Sequence, residues 1–206
     1  MGLVIWALSG NSSSESKAET KEKEKMMTID RDKYSVATVA GGCFWCMEPP
    51  FEKLDGVVSV VSGYSGGTEI NPTYEQVASG RTSHTESVEI LFNPEKIKFE
   101  KILEVFWMNI NPTQADGQFA DRGKQYRTAI FYHNDEQKQH AEASKKKLED
   151  SGKFSSPIVT TIEPFTAFYN AEDYHQDYYK KNEIHYKMYR KGSGREGYLE
   201  RTWSNK

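Results

Sequence analysis

Ser35-Val36-Ala37-Thr38-Val39-Ala40-Gly41-Gly42-Cys43-Phe44-Trp45-Cys46 is the stretch on which the fold and its chemistry turn. Residues 35–40 are a short apolar run halted by two glycines, the pattern of a buried strand entering a tight turn. Residues 43–54 then read as a helix, in which Pro49 and Pro50 fit awkwardly. Cys43 therefore falls at a helix start. Amides there favour negative charge, so the placement predicts a Cys43 thiolate held below the ordinary thiol range. Cys46 follows one helical turn later, and a disulfide needs Cα atoms within about 7 Å, which this spacing allows. Gly41 and Gly42 let the backbone turn sharply and a substrate come close.

Outward from this stretch, strand and helix patterns alternate. Residues 57–61 are β-branched and read as a second strand, residues 73–79 as a short helix, and residues 87–92 as a strand closed by Asn93-Pro94. Ile102, Leu103, Phe106 and Trp107 form a helical stripe within residues 99–109. A strand at 127–132 precedes a helix opened by Asn134 and Gln137, which resembles a capping box, and ending before Gly152. A strand is expected at 157–162 and a final Tyr- and Lys-rich helix at 171–189, followed by a loose tail. Helices alternating with strands predict a layered α/β or α+β domain, its helices packed on the sheet.

The 206 residues suffice for one domain with a real core. Net charge is -3, so no basic face is implied and nucleic acid is not an expected partner. Residues 9–25 are mostly Ser, Glu and Lys, too polar to offset their ordering entropy; residues 1–27 are read as a solvated tether and 28–206 as the domain. The apolar run at 3–8 falls far short of the ~20 residues of a membrane span and lacks the basic start of a signal peptide. Leu8-Ser9-Gly10-Asn11 resembles a lipoprotein processing site with Asn in place of the lipid-bearing Cys. Location, cytoplasmic or extracytoplasmic and membrane-tethered, is left open on this reading. Nothing in the sequence demands an interface, and a monomer is expected.

Cys43 and Cys46 are the only cysteines. A disulfide-scaffolded secreted domain carries more. Structural zinc would require two further ligands from His84, His133, His140, His175 and His185, none of which repeats a ligand spacing, so no metal is expected. A lone C-x-x-C still permits three readings: thioredoxin-like exchange, metal binding, or a nucleophile with its resolving partner. Phe44 and Trp45 between the thiols are either core residues or an apolar wall beside the nucleophile.

Gly42-Cys43-Phe44-Trp45-Cys46-Met47-Glu48 resembles the active-site signature of peptide methionine sulfoxide reductases of the A type. Further blocks resemble the same family in order: Gly63-Tyr64-Ser65-Gly66-Gly67, Asn71-Pro72-Thr73-Tyr74-Glu75-Gln76-Val77, Ser83-His84-Thr85-Glu86, Asn111-Pro112-Thr113-Gln114, Asp121-Arg122-Gly123 and Gln125-Tyr126-Arg127. Together they cover roughly residues 35–190. The chain departs from many members, which carry a small residue at the position of Cys46 and resolving cysteines near the C-terminus; residues 191–206 have none.

The resemblance implies an α+β fold, an α/β sandwich in which a mixed β-sheet with packed helices has a ferredoxin-like, split βαβ core. It implies reduction of methionine S-sulfoxide, free or in proteins. Cys43 would be the nucleophile, Glu86 the proton donor to the sulfoxide oxygen, and Tyr74 and Tyr126 hydrogen-bond donors to that oxygen. Phe44 and Trp45 would hold the S-methyl group, and Asp121 would orient Tyr or amide donors. The Cys43 sulfenic acid would condense with Cys46, and thioredoxin or a similar dithiol would reduce the disulfide. No cofactor is implied. The rival readings are a thioredoxin-like disulfide oxidoreductase and a metal-binding or redox-sensing module.

Overall fold

A computed structural model describes residues 33–204. The tether expected at 1–27 and the segment resembling a processing site lie outside the described residues. Among the described residues eight strands form: β1 (Ser35–Gly41), β2 (Val57–Ser65), β3 (Thr85–Phe92), β4 (Gly117–Gln118), β5 (Asp121–Arg122), β6 (Thr128–Tyr132), β7 (Thr161–Pro164) and β8 (Phe168–Asn170). Seven α-helices lie among the described residues: α1 (Phe44–Glu52), α2 (Tyr74–Ala78), α3 (Phe99–Met108), α4 (Asp135–Asp150), α5 (Tyr178–Lys181), α6 (Glu183–Gly192) and α7 (Arg195–Trp203).

Six strands make one sheet in the order β7-β6-β1-β3-β2-β8. Its four central strands, β6-β1-β3-β2, pair antiparallel, while β6 and β7 run parallel. With α1 between β1 and β2 and α3 between β3 and β6, this is the expected ferredoxin-like core, a split βαβ in which β3 lies between β1 and β2. Helix α1 packs on β2 and β3, α3 on β1, and α4 on β6 and α3. Phe44, Met47 and Phe51 of α1 thereby meet Val60, Val88 and Ile90 of the sheet and Ile102, Leu103 and Phe106 of α3 in one apolar cluster.

Pro49 and Pro50 do not stop α1, which runs on to Glu52. Two prolines cost helix stability, yet burial of Phe44, Met47, Pro49 and Phe51 holds the segment against the sheet and overrides local propensity. At the C-terminal end the sequence reading needs correction. The strand expected at 157–162 starts at Thr161, where pairing with Ala129 of β6 begins; before it, the Val159 amide is taken by the Pro112 carbonyl. The helix expected at 171–189 is broken into α5 and α6, because Asp177 takes a left-handed φ of 54° and Asn182 leaves helical geometry. Nor is the segment after residue 191 a loose tail. It forms α7, whose first residue, Arg195, is 1% exposed.

Candidate active site

The turn after β1 is built around two glycines with no room for a side chain. A Cβ on Gly41 would sit 2.5 Å from the Met47 sulfur, and one on Gly42 2.5 Å from Cβ of Gln118. Gly42 also has a φ of 79°, which disfavours any other residue. This turn delivers Cys43 as the N-cap of α1, with its carbonyl accepting from the Cys46 amide at 3.0 Å. Both cysteines are free thiols. Cys43 keeps 6% of its surface and Cys46 none.

Glu86, on β3 opposite Tyr64 of β2, is 2% exposed. Its Oε2 accepts a hydrogen bond of 3.1 Å from the Phe44 amide, the first N–H of α1. Burial pushes this carboxyl from 4.5 up to about 8, with Asp121 and Cys46 adding repulsion and the Phe44 amide opposing it. Glu86 therefore carries a proton at neutral pH.

The expected low Cys43 pKa is not found. Burial pushes the Cys43 thiol well up, and the neighbouring Cys46, Asp121 and, once it ionises, Glu86 push the same way. The helix-end amide that was to stabilise the thiolate is occupied by Glu86. Negative charge falls first on Cys46, lowered to about 7 chiefly by its hydrogen bond with Cys43, and further by Arg195 and Arg190.

The other candidates converge on the same place. Tyr74 opens α2, and Tyr126 ends a short 3-10 turn at Lys124–Tyr126. Burial raises both phenols, Tyr74 to about 12, and Glu86, Cys43 and Asp121 all raise them further. Both are thus neutral donors. Tyr74 is anchored by its own amide, which donates to Glu172 Oε1 at 2.8 Å, while the Tyr64 hydroxyl donates to Oε2 of the same carboxylate at 2.8 Å. Asp121 accepts from the Tyr189 hydroxyl and thus orients a phenol. Phe44 is buried, and Trp45 stacks on Tyr178 with ring centroids 3.7 Å apart.

Sequence reasoning missed several residues that surround this site. His175 was weighed only as a zinc ligand. Its ring is 1% exposed and lies 5.0 Å from Phe44, 5.7 Å from Trp45 and 4.2 Å from Tyr74, centroid to centroid. Its Nδ1 accepts from the Trp45 indole at 3.1 Å, and burial lowers its pKa to about 4, so the ring is neutral. Tyr189, on α6, was read only as part of a Tyr-rich helix; apart from burial, the charge of Cys43 is the largest influence raising its phenol. The one sequence signal for these residues was the density of Tyr and His between 174 and 189. His84 is instead a brace: its Nδ1 accepts from the Gly67 amide at 3.2 Å and its Nε2 bonds the Glu69 carbonyl at 2.8 Å. Glu48 is buried, its Oε1 accepting from the Asp177 amide at 3.4 Å. Among the described residues no group of three or more His, Cys, Asp or Glu is placed to hold a metal ion.

A family profile described as "Peptide methionine sulfoxide reductase" matches residues 35–206. Peptide methionine sulfoxide reductase MsrA of Bacillus velezensis is 58% identical over 175 residues, which are 85% of this chain and 99% of that protein. The crystal structure of reduced Mxr1 from Saccharomyces cerevisiae is similar with a TM-score of 0.71 and 32% identity, over 76% of this chain and 90% of that one. Mxr1 in complex with Trx2 is similar with a TM-score of 0.53 and 26% identity, over 73% and 90%. The profile's reach, the high identity over nearly the whole relative and the shared fold give one result: the chain belongs to the peptide methionine sulfoxide reductase family.

Proposed function

We propose that this chain reduces the S epimer of methionine sulfoxide, free or in proteins, through a Cys43 sulfenic acid and a Cys43–Cys46 disulfide recycled by a thioredoxin-type dithiol. The observation that carries the reading is Glu86: a buried acid, protonated at neutral pH, fixed to the amide next to the nucleophile. A sulfoxide oxygen is a poor leaving group until it is protonated, and Glu86 supplies that proton while Tyr74 and Tyr126 stabilise the developing charge. Cys43 attacks the sulfoxide sulfur with the S-methyl group against Phe44 and Trp45. The oxygen ends on Cys43 as a sulfenic acid, and methionine leaves reduced by two electrons.

Cys46 then displaces the oxygen, and dithiol exchange returns both thiols. The crystallised complex of the similar Mxr1 with Trx2 supports a thioredoxin-type donor. General thioredoxin-like disulfide exchange as the main activity is disfavoured by the family. The chemistry is thiol-based throughout and needs no metal or organic cofactor.

The deciding experiment offers separated methionine sulfoxide epimers with a dithiol donor. Turnover of the S epimer alone is expected. Turnover of neither epimer, alongside reduction of insulin disulfides, would overturn the reading in favour of general exchange.

A further inference from the structure

Arg195 heads the fully buried side chains by volume, although it opens a C-terminal helix with a polar sequence. It reaches back 154 positions to donate from Nη2 to the Gly41 carbonyl at 2.8 Å, and from Nη1 to the Asn109 carbonyl at 2.7 Å. Nη1 also lies 3.7 Å from the Met47 sulfur, and the guanidinium sits 4.5 Å from the centroid of the Phe119 ring. Among the described residues, no carboxylate lies within ion-pair distance of it. A buried cation without a counter-ion is costly and persists where its charge has a use.

Among the described residues, two acidic groups whose ionisation this guanidinium favours, Cys46 and Asp121, belong to the site. Cys46 sits in the turn between Gly41 and Met47, the two residues that Arg195 touches there. The Cys43 hydrogen bond, Arg195 and Arg190 favour an ionised Cys46, burial and Asp121 oppose it, and Glu86 and the phenols of Tyr186 and Tyr189 from α6 also face it. Of the two cations, Arg195 has the larger effect, and it favours the ionised form of Asp121 as well.

We propose that Arg195 is a positioning residue for the resolving step: it holds the Gly41–Met47 segment from beneath and sets a positive charge against the stretch that carries Cys46, the thiol that attacks the Cys43 sulfenic acid. In that step the Cys46 sulfur forms a bond to the Cys43 sulfur and the Cys43 S–O bond breaks. The leaving oxygen takes a proton and departs as water. Cys46 is oxidised and the sulfenic sulfur reduced, both reaching the disulfide level. The assignment rests on the function proposed above, with Cys46 as the resolving thiol.

Because the chain has only two cysteines, Cys43→Ser leaves Cys46 as the sole thiol, and its ionisation can be followed by thiolate absorbance against pH. Adding Arg195→Gln should raise the midpoint by about one pH unit, and Arg195→Lys should restore most of it. With both cysteines present, Arg195→Gln should slow disulfide formation about tenfold after one equivalent of sulfoxide, while the first equivalent of methionine forms within about twofold of the normal rate. An unmoved midpoint, or equal slowing of both steps without rescue by Lys, overturns the proposal. If the Gln variant does not fold, the unaltered enzyme still decides: a rate of disulfide formation, after one equivalent of sulfoxide, that rises only at or above the ordinary thiol range of pH overturns the proposal. Absence of any methionine from the unaltered enzyme would sink the proposed function, while the Cys46 titration would still report on Arg195.

Discussion

The Phe44 amide donates to Glu86 across 3.1 Å, so the acid of the site is fixed by the turn that carries its nucleophile. A shift of that turn moves donor and attacking sulfur together. The same contact gives the helix end a carboxyl to hold in place of a thiolate, which adds to the burial that raises the Cys43 thiol.

The two cysteines should separate by stoichiometry. Cys43→Ser is expected to form no methionine even in a single turnover. Cys46→Ser should form one equivalent per enzyme and then stop, because residues 191–206 offer no other thiol. Counting methionine released per enzyme, without reductant for Cys43→Ser and with thioredoxin present for Cys46→Ser, checks both; a full equivalent from Cys43→Ser would refute the assignment.

Replacing Glu86 by Gln should lower the single-turnover rate by about 10²–10⁴-fold, the usual scale of general acid catalysis. The acid form must be present, and its pKa is pushed up to about 8, so the wild-type rate should fall as pH rises through that value. In Glu86→Gln that limb should vanish. Its survival in the variant would assign the proton to another group.

Tyr189 and Asp121 should act as a pair, since the phenol donates to the carboxylate. Tyr189→Phe and Asp121→Asn are each expected to reduce kcat/KM, and the double variant to lose less than the sum. A coupling of roughly 0.5–3 kcal/mol is the range for residues in direct contact. Strict additivity in the four-variant cycle would show that the contact does not matter to catalysis.

Glu48 should make stability depend on pH. Burial raises its pKa from 4.5 to about 8, so on unfolding the proton is released at any pH between those values. Stability from this group is complete below the ordinary carboxylate range and is lost as pH rises through about 8. Glu48→Gln keeps an acceptor for the Asp177 amide and removes the titration. Thermal unfolding at pH 8 should therefore occur higher in the variant, by about 2–4 °C for each kcal/mol regained, with a smaller difference at acid pH. Equal differences at both extremes would count against the burial argument.

The strand, glycine turn and helix around Cys43 were legible because they are local: apolar run, breaker and thiol follow within a dozen residues. Glu86, Tyr74, Tyr126 and Asp121 were legible only through family resemblance, since a carboxylate at a strand start gives no sign of being buried. His175 and Arg195 were not legible at all as site residues. They contact Trp45 and Gly41 across 130 and 154 positions, from segments whose polar composition reads as surface. Tertiary placement, not local pattern, buries them. The same cause split the expected last helix, because the chain must bend at Asp177 and Asn182 to lay α5 and α6 beside the aromatic side chains of α1.

Pro49 and Pro50 lack the amide hydrogens that would normally close the helical ladder onto the carbonyls of Trp45 and Cys46, four residues earlier. Within the stretch between the thiols the Cys46 amide still bonds the Cys43 carbonyl, so the two missing rungs relax only the turn that follows. Drawing the two sulfurs together and parting them again can be absorbed within one coil of backbone. In the cycle proposed for this pair, sulfur need only meet sulfur one helical turn away, with no thiol drawn in from residues 191–206.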